Sequence, residues 1–377
     1  MQLYHKKMTM DRRKFLRAAV LAGAAFSVKK SGAMTVVSQT LNTGVAGSGA
    51  NGSGLAGSAG LAGEAAGEAA GEAAGLADAD LAGIAGTESS ALAAASAAPV
   101  RRAGNFDLVA VMGGEPVDMF RKAITEMGGM GRYIKKGQKV CVKPNIGWDK
   151  APEMAANTNP LLVGEIVRQC FAAGASEVTV FDHTCDDWRK CYSNSGIESE
   201  AKSAGAKVMP ADQESYYKPV SIPKGKVLKT TKIHEAILNA DVWINVPVLK
   251  NHGGAKMSIS MKNLMGIVWD RGFFHKNDLQ QCIADISSLD RKPVLNVVDA
   301  YRLMKTNGPR GRSEADVATS KALFLSQDMV AVDTAATNFF NQVREMPLSD
   351  VGHLSRGESM GIGTMKLDKL KIKRVKI

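Results

Sequence analysis

Side chains able to hold an anion or to move protons follow several strand-like runs of this 377-residue chain. Lys143-Pro144-Asn145 follows the run 140–142, and Asp182-His183 follows the run 178–181. Residues 250–254 come shortly after the run 242–246, and Asp299 follows the run 295–298. In open α/β sheets, ligands bind outside the carboxyl ends of the strands. We therefore expect these groups to meet at one edge of a sheet.

The segment 250–276 is the richest in such groups. It contains five Lys or Arg residues against the single acid Asp270, a local charge of +4. Glycines let backbone N–H groups approach an anion, and lysines supply the opposite charge. An anionic substrate or cofactor is expected to bind Lys143, Asn145, Lys262, Asn263, Gly253 and Gly254. The alternative is a solvated basic loop in which the glycines only form turns.

Histidine moves protons near neutral pH, so the expected catalytic residues are His252, His183 and Lys250. Asp182 and Asp299 would orient a histidine or, as the alternative, ligate a divalent metal together with histidine nitrogens. The chain has no H-E-x-x-H motif, no Walker A loop and no G-x-G-x-x-G after the first strand-like run. No ferredoxin-type cysteine run occurs, so no iron–sulfur cluster is expected.

The cysteines are sparse. Cys141, Cys170 and Cys282 fall within apolar patterns and are expected in the core. Cys185 and Cys191 flank a short polar run, and in an oxidising compartment they could form a disulfide.

Short β-rich runs alternate with helical patterns over the second part of the chain. The predicted strands are 107–112, 139–143, 177–182, 206–209, 242–246, 294–299, 322–326 and 370–377. Helices are predicted to start after Asn159, Asp278 and Asp328, residues that favour the N-cap. This alternation predicts an α/β fold with a mostly parallel sheet, mixed at the edge, and helices on both faces of a single large domain.

The last predicted strand interleaves apolar residues with lysines, which is typical of an exposed sheet edge. Its apolar phase slips by one residue between Ile372 and Val375, which predicts a β-bulge. A glycine cluster at residues 307–311 is expected to be either a lid over the same site or a plain connection.

The first 33 residues have the pattern of an export signal. They carry a charge of +7, with Arg12-Arg13 followed by Phe15-Leu16 and a short apolar run, which resembles a twin-arginine signal peptide. We expect the twin-arginine translocase to export the folded protein to the periplasm or an extracytoplasmic surface. No apolar run reaches 18 residues, so no stable transmembrane segment is expected. The alternative is a basic amphipathic helix of a cytoplasmic protein.

Residues 34–104 are expected to form a disordered linker. In 44–98, 34 of 55 positions are Ala or Gly, and none is aromatic or basic. Such a segment cannot bury enough apolar surface to offset its ordering entropy. The α/β domain is therefore placed at 105–377, and it carries a charge of +10 from residue 101 onward. A basic body favours anionic partners.

Five short motifs, in order, resemble the domain-of-unknown-function 362 family. They are Lys143-Pro144-Asn145, NVPVLKNH at 245–252, SMKNLMG at 260–266, VVDA at 297–300 with NGPRG at 307–311, and SQDMVAVDTAA at 326–336. The resemblance spans about 105–377 and implies an α/β fold with functional positions at Lys143, Asn145, Lys250, His252, Lys262, Asn263 and Asp299. Many relatives carry an added ferredoxin-like domain that this chain lacks.

Three functions remain open. The first is an exported enzyme that binds an anionic substrate or cofactor at the carboxyl edge of the sheet, with redox chemistry among the reaction classes. The second is a non-catalytic periplasmic protein that captures an anion or a metal. The third is an assembly factor for an exported redox enzyme. Nucleic acid is not an expected partner, because the basic terminal strand lacks interleaved aromatic residues for stacking on bases.

Overall fold

The computed structural model describes residues 106–377; the signal peptide expected at 1–33 and the linker expected at 34–104 lie outside that range. The strands are β1 (Leu108–Met112), β2 (Lys139–Pro144), β3 (Glu177–Val180), β4 (Lys207–Val208), β5 (Tyr217–Ser221), β6 (Thr230–His234), β7 (Val242–Val246), β8 (Val248–His252), β9 (Lys256–Ser258), β10 (Leu295–Met304), β11 (Val317–Ser326) and β12 (Ile372–Lys376). The α-helices are α1 (Pro116–Glu126), α2 (Pro160–Ala172), α3 (Trp188–Asn194), α4 (Ile197–Ser203), α5 (Glu235–Leu238), α6 (Ser260–Asn263), α7 (Gly272–Lys276), α8 (Leu279–Ser287), α9 (Met329–Phe340) and α10 (Gly352–Ser359).

The main sheet confirms the predicted α/β class. Its strand order is β12-β1-β11-β10-β7-β2-β3-β4, with β8 paired to β10 and β9 paired to β8, while β5 and β6 form a separate antiparallel pair. Along the row, β11 alone runs against its neighbours, β1 and β10. The mixed direction thus lies two strands in from the edge, because the edge strand β12 runs parallel to β1.

Each face of the main sheet is covered by helices, so two hydrophobic cores form. Successive residues of a strand point to opposite faces, and Val140 and Val142 of β2 accordingly lie in one core and Cys141 in the other. Helices α1 to α4 contribute to the core around Val142, whereas α6 to α10 contribute to the core around Cys141. Burying one large apolar side chain contributes about 1.5–3 kcal/mol, so the two cores stabilise the packing of the helix layers on the sheet.

The predicted helix starts are confirmed. The side chain of Asn159 accepts a hydrogen bond from the Leu161 N–H, and Pro160 is the first residue of α2. Asp278 caps α8 through the Gln281 N–H, and Asp328 caps α9 through the Ala331 N–H. Each such cap contributes about 1 kcal/mol, because it satisfies an N–H that the helix leaves unpaired.

The predicted bulge in the last strand is wrong. Strand β12 pairs with β1 in one uninterrupted register from Leu108–Ile372 to Met112–Lys376. Ile372 packs against one core and Val375 against the other. Two residues three positions apart on a regular strand face opposite sides of the sheet. The shift in the apolar pattern therefore places one apolar side chain in each core.

No helix within residues 106–377 is both long enough and apolar enough to cross a lipid bilayer.

Candidate functional site

A cavity of about 380 Å³ lies at the carboxyl ends of β2 and β3, beside β8 and α6. Its wall contains most of the residues selected from the sequence: Lys143, Asn145, Asp182, His183, Lys250, His252, Lys262 and Asn263. The structure brings these residues together because β2, β3 and β7 are parallel neighbours whose carboxyl ends share one edge. Strand β8 starts two residues after β7 and carries Lys250 and His252 to the same place.

An ion pair forms part of the cavity wall. The Nζ of Lys143 lies 2.8 Å from Oδ1 of Asp182, and the two side chains are 0% and 2% exposed. The other carboxylate oxygen of Asp182 accepts a hydrogen bond of 2.6 Å from the Ile146 N–H. Burial lowers the pKa of Lys143, and the neighbouring carboxylate opposes that shift. One lysine charge of the cavity is therefore already compensated within the protein.

Gly266 packs directly against this ion pair. A Cβ atom at this position would lie 1.9 Å from Oδ1 of Asp182 and 2.5 Å from Nζ of Lys143. The Gly266 carbonyl also accepts a hydrogen bond from the His183 N–H. The position requires glycine because every larger side chain would occupy the space of the ion pair.

A network of hydrogen-bonded amide side chains holds the lysines in place. Oδ1 of Asn263 accepts hydrogen bonds of 2.9 Å from both Lys143 Nζ and Asn145 Nδ2. Nδ2 of Asn263 donates to Asn245 Oδ1, and Nδ2 of Asn245 donates to Asn296 Oδ1. Sequence reasoning missed Asn245 and Asn296. Their signal was an amide inside an otherwise apolar strand, which is costly unless the amide is hydrogen-bonded.

Two further lysines bring positive charge to the cavity. Lys250 is 2% exposed, and its Nζ donates to Asn145 Oδ1 and to the Ala156 carbonyl. Lys262 has no hydrogen bond or ion pair with any part of the chain that the structure describes. Burial lowers the pKa of Lys250 to about 7 and that of Lys262 to about 8. Within residues 106–377, neither lysine forms an ion pair with a carboxylate.

Arg271 adds a fourth cation, although sequence reasoning assigned it no role beyond the basic character of its segment. Its guanidinium donates to the carbonyls of His183 and Thr184 at 2.9 and 2.6 Å and contacts Sγ of Cys185 at 3.2 Å. None of these partners carries a carboxylate charge. Among the wall residues in the described range, Asp182 is the sole acid, so the cavity is cationic.

His183 presents an unprotonated ring nitrogen. Its Nδ1 lies 2.8 Å from the Val268 carbonyl, which can only accept, so Nδ1 carries the hydrogen. The ring stacks on Trp269 with centroids 5.2 Å apart. Burial and the nearby Arg271 charge lower the pKa of His183, which keeps the ring neutral at pH 7 and leaves a lone pair on Nε2.

His252 has the opposite tautomer. Its Nδ1 accepts hydrogen bonds of 3.1 Å from the N–H groups of Gly254 and Ala255, so the hydrogen lies on Nε2. Burial, followed by the charges of Lys262 and Lys250, lowers the pKa of His252 to about 2. Of the histidines in the wall, His183 is thus an acceptor and His252 a donor.

The remaining selected residues lie elsewhere. Gly253 and Gly254 form the turn after β8, outside the cavity wall, and Gly254 instead orients His252. Asp299 is also outside the wall; it accepts hydrogen bonds from the N–H groups of Asn159 and Tyr301. Burial raises the pKa of Asp299 to about 6. Asp299 therefore anchors the start of α2.

The metal role of Asp182 and Asp299 gains no geometric support. Asp182 is engaged by Lys143, and Asp299 lies outside the cavity wall. Between residues 106 and 377, no three His, Cys, Asp or Glu side chains form a group that could hold a metal ion.

The glycine cluster at 307–311 contributes to the wall through Pro309. Its Gly308 carbonyl accepts a hydrogen bond of 3.2 Å from the Gly253 N–H, and a Cβ atom on Gly308 would lie 1.8 Å from the Asn251 carbonyl oxygen. This segment is packed against the end of β8, so it forms a side of the cavity.

Other wall residues were not selected from the sequence: Gly147, Trp148, Cys185, Ser258, Met265, Gly266, Gly272 and His275. Cys185 and Cys191 do not form the disulfide considered from the sequence, since both thiols are free and Cys191 is buried.

The chain is similar to a thylakoid-associated protein of Synechocystis sp., with 23% identity over 226 residues, which covers 58% of this chain and 68% of that protein.

Two solved structures resemble the chain in part. The lactate racemase apoprotein from Thermoanaerobacterium thermosaccharolyticum aligns with a TM-score of 0.40 and 14% identity, and a protein from Thermotoga maritima aligns with a TM-score of 0.41 and 10% identity. The alignments cover 63% and 61% of this chain, and 57% and 60% of the two structures, so this chain spans less than two thirds of either.

The profile of the family described as Domain of unknown function (DUF362) matches residues 140–338, more than half of the chain and the whole set of charged residues around the cavity from Lys143 to His275. The chain belongs to this family.

Proposed function

We propose that the chain is an enzyme that binds a small molecule with an anionic group in this cavity and acts on that molecule by proton transfer. One observation carries the proposal: the ammonium of Lys262 faces the cavity without a partner in the described range, beside Lys250 and Arg271. Lys262 is half-buried, and a charge partly withdrawn from water is costly unless it is paired. An anionic ligand supplies the missing partner.

The histidines define what the site does to its ligand. His183 offers a lone pair on Nε2 and can accept a proton, whereas His252 offers an N–H and can donate a hydrogen bond. Their ordinary pKa lies near neutrality, and burial keeps both rings neutral. In the proposed reaction, Lys262 and Arg271 hold the anionic group, His183 takes a proton from the ligand, and His252 stabilises negative charge that develops on it.

Calorimetric titration with inorganic phosphate and with sulfate tests the binding step. We expect Lys262→Gln to weaken binding by at least about tenfold, the equivalent of ~1.4 kcal/mol, because it removes the unpaired charge. Lys224→Gln is the matched control, since it removes the same charge from an exposed residue away from the cavity. Equal affinity in the wild type and Lys262→Gln would refute the anion site.

Mass spectrometry of the protein purified from its native compartment tests the chemical step. We expect one equivalent of a retained anionic compound, and we expect the wild type to convert it. A retained compound without turnover would identify a capture protein instead. A co-purifying redox enzyme would identify an assembly factor.

We further propose that the protein is exported in the folded state by the twin-arginine translocase. This export route is supported by Arg12-Arg13, by the short apolar run after them and by the Ala/Gly-rich segment. Cell fractionation tests it: Arg12→Lys with Arg13→Lys should move the protein from the periplasm to the cytosol. An unchanged distribution would count against export by this route.

A further inference from the structure

Cys185 is the one exposed thiol among the five cysteines of the chain. Cys141, Cys170, Cys191 and Cys282 are all buried. Reagents added to the folded protein therefore reach a single sulfur. This distribution makes Cys185 chemically distinct from the four cysteines that pack in the cores.

The sulfur of Cys185 lies at the cationic cavity. Its Sγ is 3.2 Å from Nη1 of Arg271, and the same guanidinium holds the carbonyls of His183 and Thr184. The Cys185 N–H donates to the Gly147 carbonyl at 2.7 Å. Reactive cysteines lie in partly exposed, electropositive surroundings, and these contacts place the sulfur in such surroundings.

A second observation concerns a hydroxyl group of the same cavity. Ser258 is 7% exposed and lines the cavity, yet its hydroxyl has no hydrogen-bond partner within residues 106–377. It is the residue paired with Lys250 across β8 and β9. A serine hydroxyl both donates and accepts hydrogen bonds, so this group is available to a molecule in the cavity.

We propose that Cys185 is a nucleophile of this cavity, directed toward small carbon electrophiles that carry a carboxylate or phosphate group. The inference rests on the proposed anion site, since Lys262 and Arg271 bind the anionic group and hold the electrophilic carbon near the sulfur. In the step, the thiol loses its proton to solvent and its sulfur forms a bond to carbon. The leaving group departs with the electron pair of the bond that breaks.

Competition between iodoacetate and iodoacetamide tests this role. The two reagents place the same carbon and the same iodide leaving group on the sulfur, and only iodoacetate carries a negative charge. We expect the ratio of the iodoacetate rate to the iodoacetamide rate to be at least about tenfold higher for Cys185 than for glutathione under the same conditions. Peptide mapping should place the carboxymethyl group on Cys185.

Substitutions test whether the positive charge of the cavity, and not only the exposure of Cys185, raises the rate with iodoacetate. Lys262→Gln should reduce the rate ratio toward the glutathione value, and Lys224→Gln should leave it at the wild-type value. Inorganic phosphate should slow carboxymethylation of the wild type by competing for the anion site. A wild-type ratio equal to that of glutathione would overturn the assignment.

Calorimetry with phosphate on the wild type distinguishes this failure from failure of the proposed function. If phosphate binds and the rate ratio equals that of glutathione, the nucleophile assignment is wrong and the anion site stands. If phosphate does not bind and the ratio also equals that of glutathione, both proposals are wrong.

Discussion

Lys143 and Asp182 form a buried ion pair, with Nζ and Oδ1 2.8 Å apart, beside a cavity whose other charged groups are cations. The pair neutralises one of the four positive charges. It leaves Lys250, Lys262 and Arg271 to a ligand. Since the side chain of Asp182 also receives the Ile146 N–H, the carboxylate ties the end of β2 to the end of β3 as well.

Asp182→Asn should lower the free energy of unfolding by about 3–5 kcal/mol, because it leaves the Lys143 charge buried without its counter-ion. Urea unfolding followed by circular dichroism measures the change. The double variant Lys143→Met/Asp182→Asn is the control: it removes both charges and should be more stable than Asp182→Asn alone. If the double variant loses as much free energy of unfolding as Asp182→Asn and Lys143→Met lose together, the two charges are not coupled.

Gly266→Ala should destabilise the protein, because the added methyl group would lie within 1.9 Å of Asp182 Oδ1. Overpacking of this kind costs about 1–3 kcal/mol, and separating the ion pair adds to that cost. The change should also weaken sulfate binding, because a shift of residue 266 moves the His183 backbone, whose carbonyl accepts a hydrogen bond from Arg271.

Gly131→Ala is the matched control for this substitution. A Cβ atom on Gly131 meets nothing within 4 Å, so its stability should stay within about 0.5 kcal/mol of the wild type. Thermal unfolding by calorimetry compares the two variants. If both lower Tm equally, close packing on the ion pair does not explain the glycine.

The main strands could be predicted from sequence because they are buried on both faces and read as apolar runs. Strands β8 and β9 escaped this rule, since Lys250, His252 and Ser258 face a cavity and break the apolar pattern. Strand β5 contains Pro219, which the pattern treats as a strand breaker, although an isolated two-stranded pair tolerates it.

The site followed from sequence where one rule applied: parallel strands end at a common edge. That rule gathers Lys143, Asp182 and Lys250 without any knowledge of side-chain contacts. It fails for Asp299, whose strand β10 continues for five residues beyond it to Met304, so its side chain lies within the strand. The tautomers of His183 and His252 depend on turns whose hydrogen bonds no sequence pattern specifies.

Sulfate affinity should fall as pH rises, because the lysines that face the ligand lose their protons. The pKa of Lys250 is lowered to about 7 and that of Lys262 to about 8, so both are charged below that window and neutral above it. Bound sulfate favours the charged forms, so binding near pH 8 should take up protons. Sulfate itself remains a dianion throughout this range.

Calorimetry between about pH 6 and pH 9 should show at least a tenfold loss of affinity. Repeating the titration in buffers of different ionisation enthalpy measures the proton uptake. Lys262→Gln should lose the part of the profile near pH 8 and retain the part near pH 7. An affinity independent of pH would show that these ammonium groups do not contact the anion.

The two histidines should respond differently to replacement by asparagine. In His252→Asn, the amide oxygen can take the place of Nδ1 and accept the N–H groups of Gly254 and Ala255, while the donor at Nε2 is lost. In His183→Asn, the amide N–H₂ can take the place of Nδ1 and donate to the Val268 carbonyl, while the lone pair at Nε2 is lost. Both variants should fold, with Tm close to that of the wild type.

General acid–base groups contribute about 10²–10⁴-fold to rate, so His183→Asn should slow conversion of the retained compound by that factor and leave sulfate affinity nearly unchanged. His252→Asn should weaken both sulfate binding and conversion, because its lost N–H stabilises negative charge in the ground state and in the transition state alike. Equal effects of the two variants on affinity and rate would remove the distinction between an acceptor and a donor on which the proposed chemistry depends.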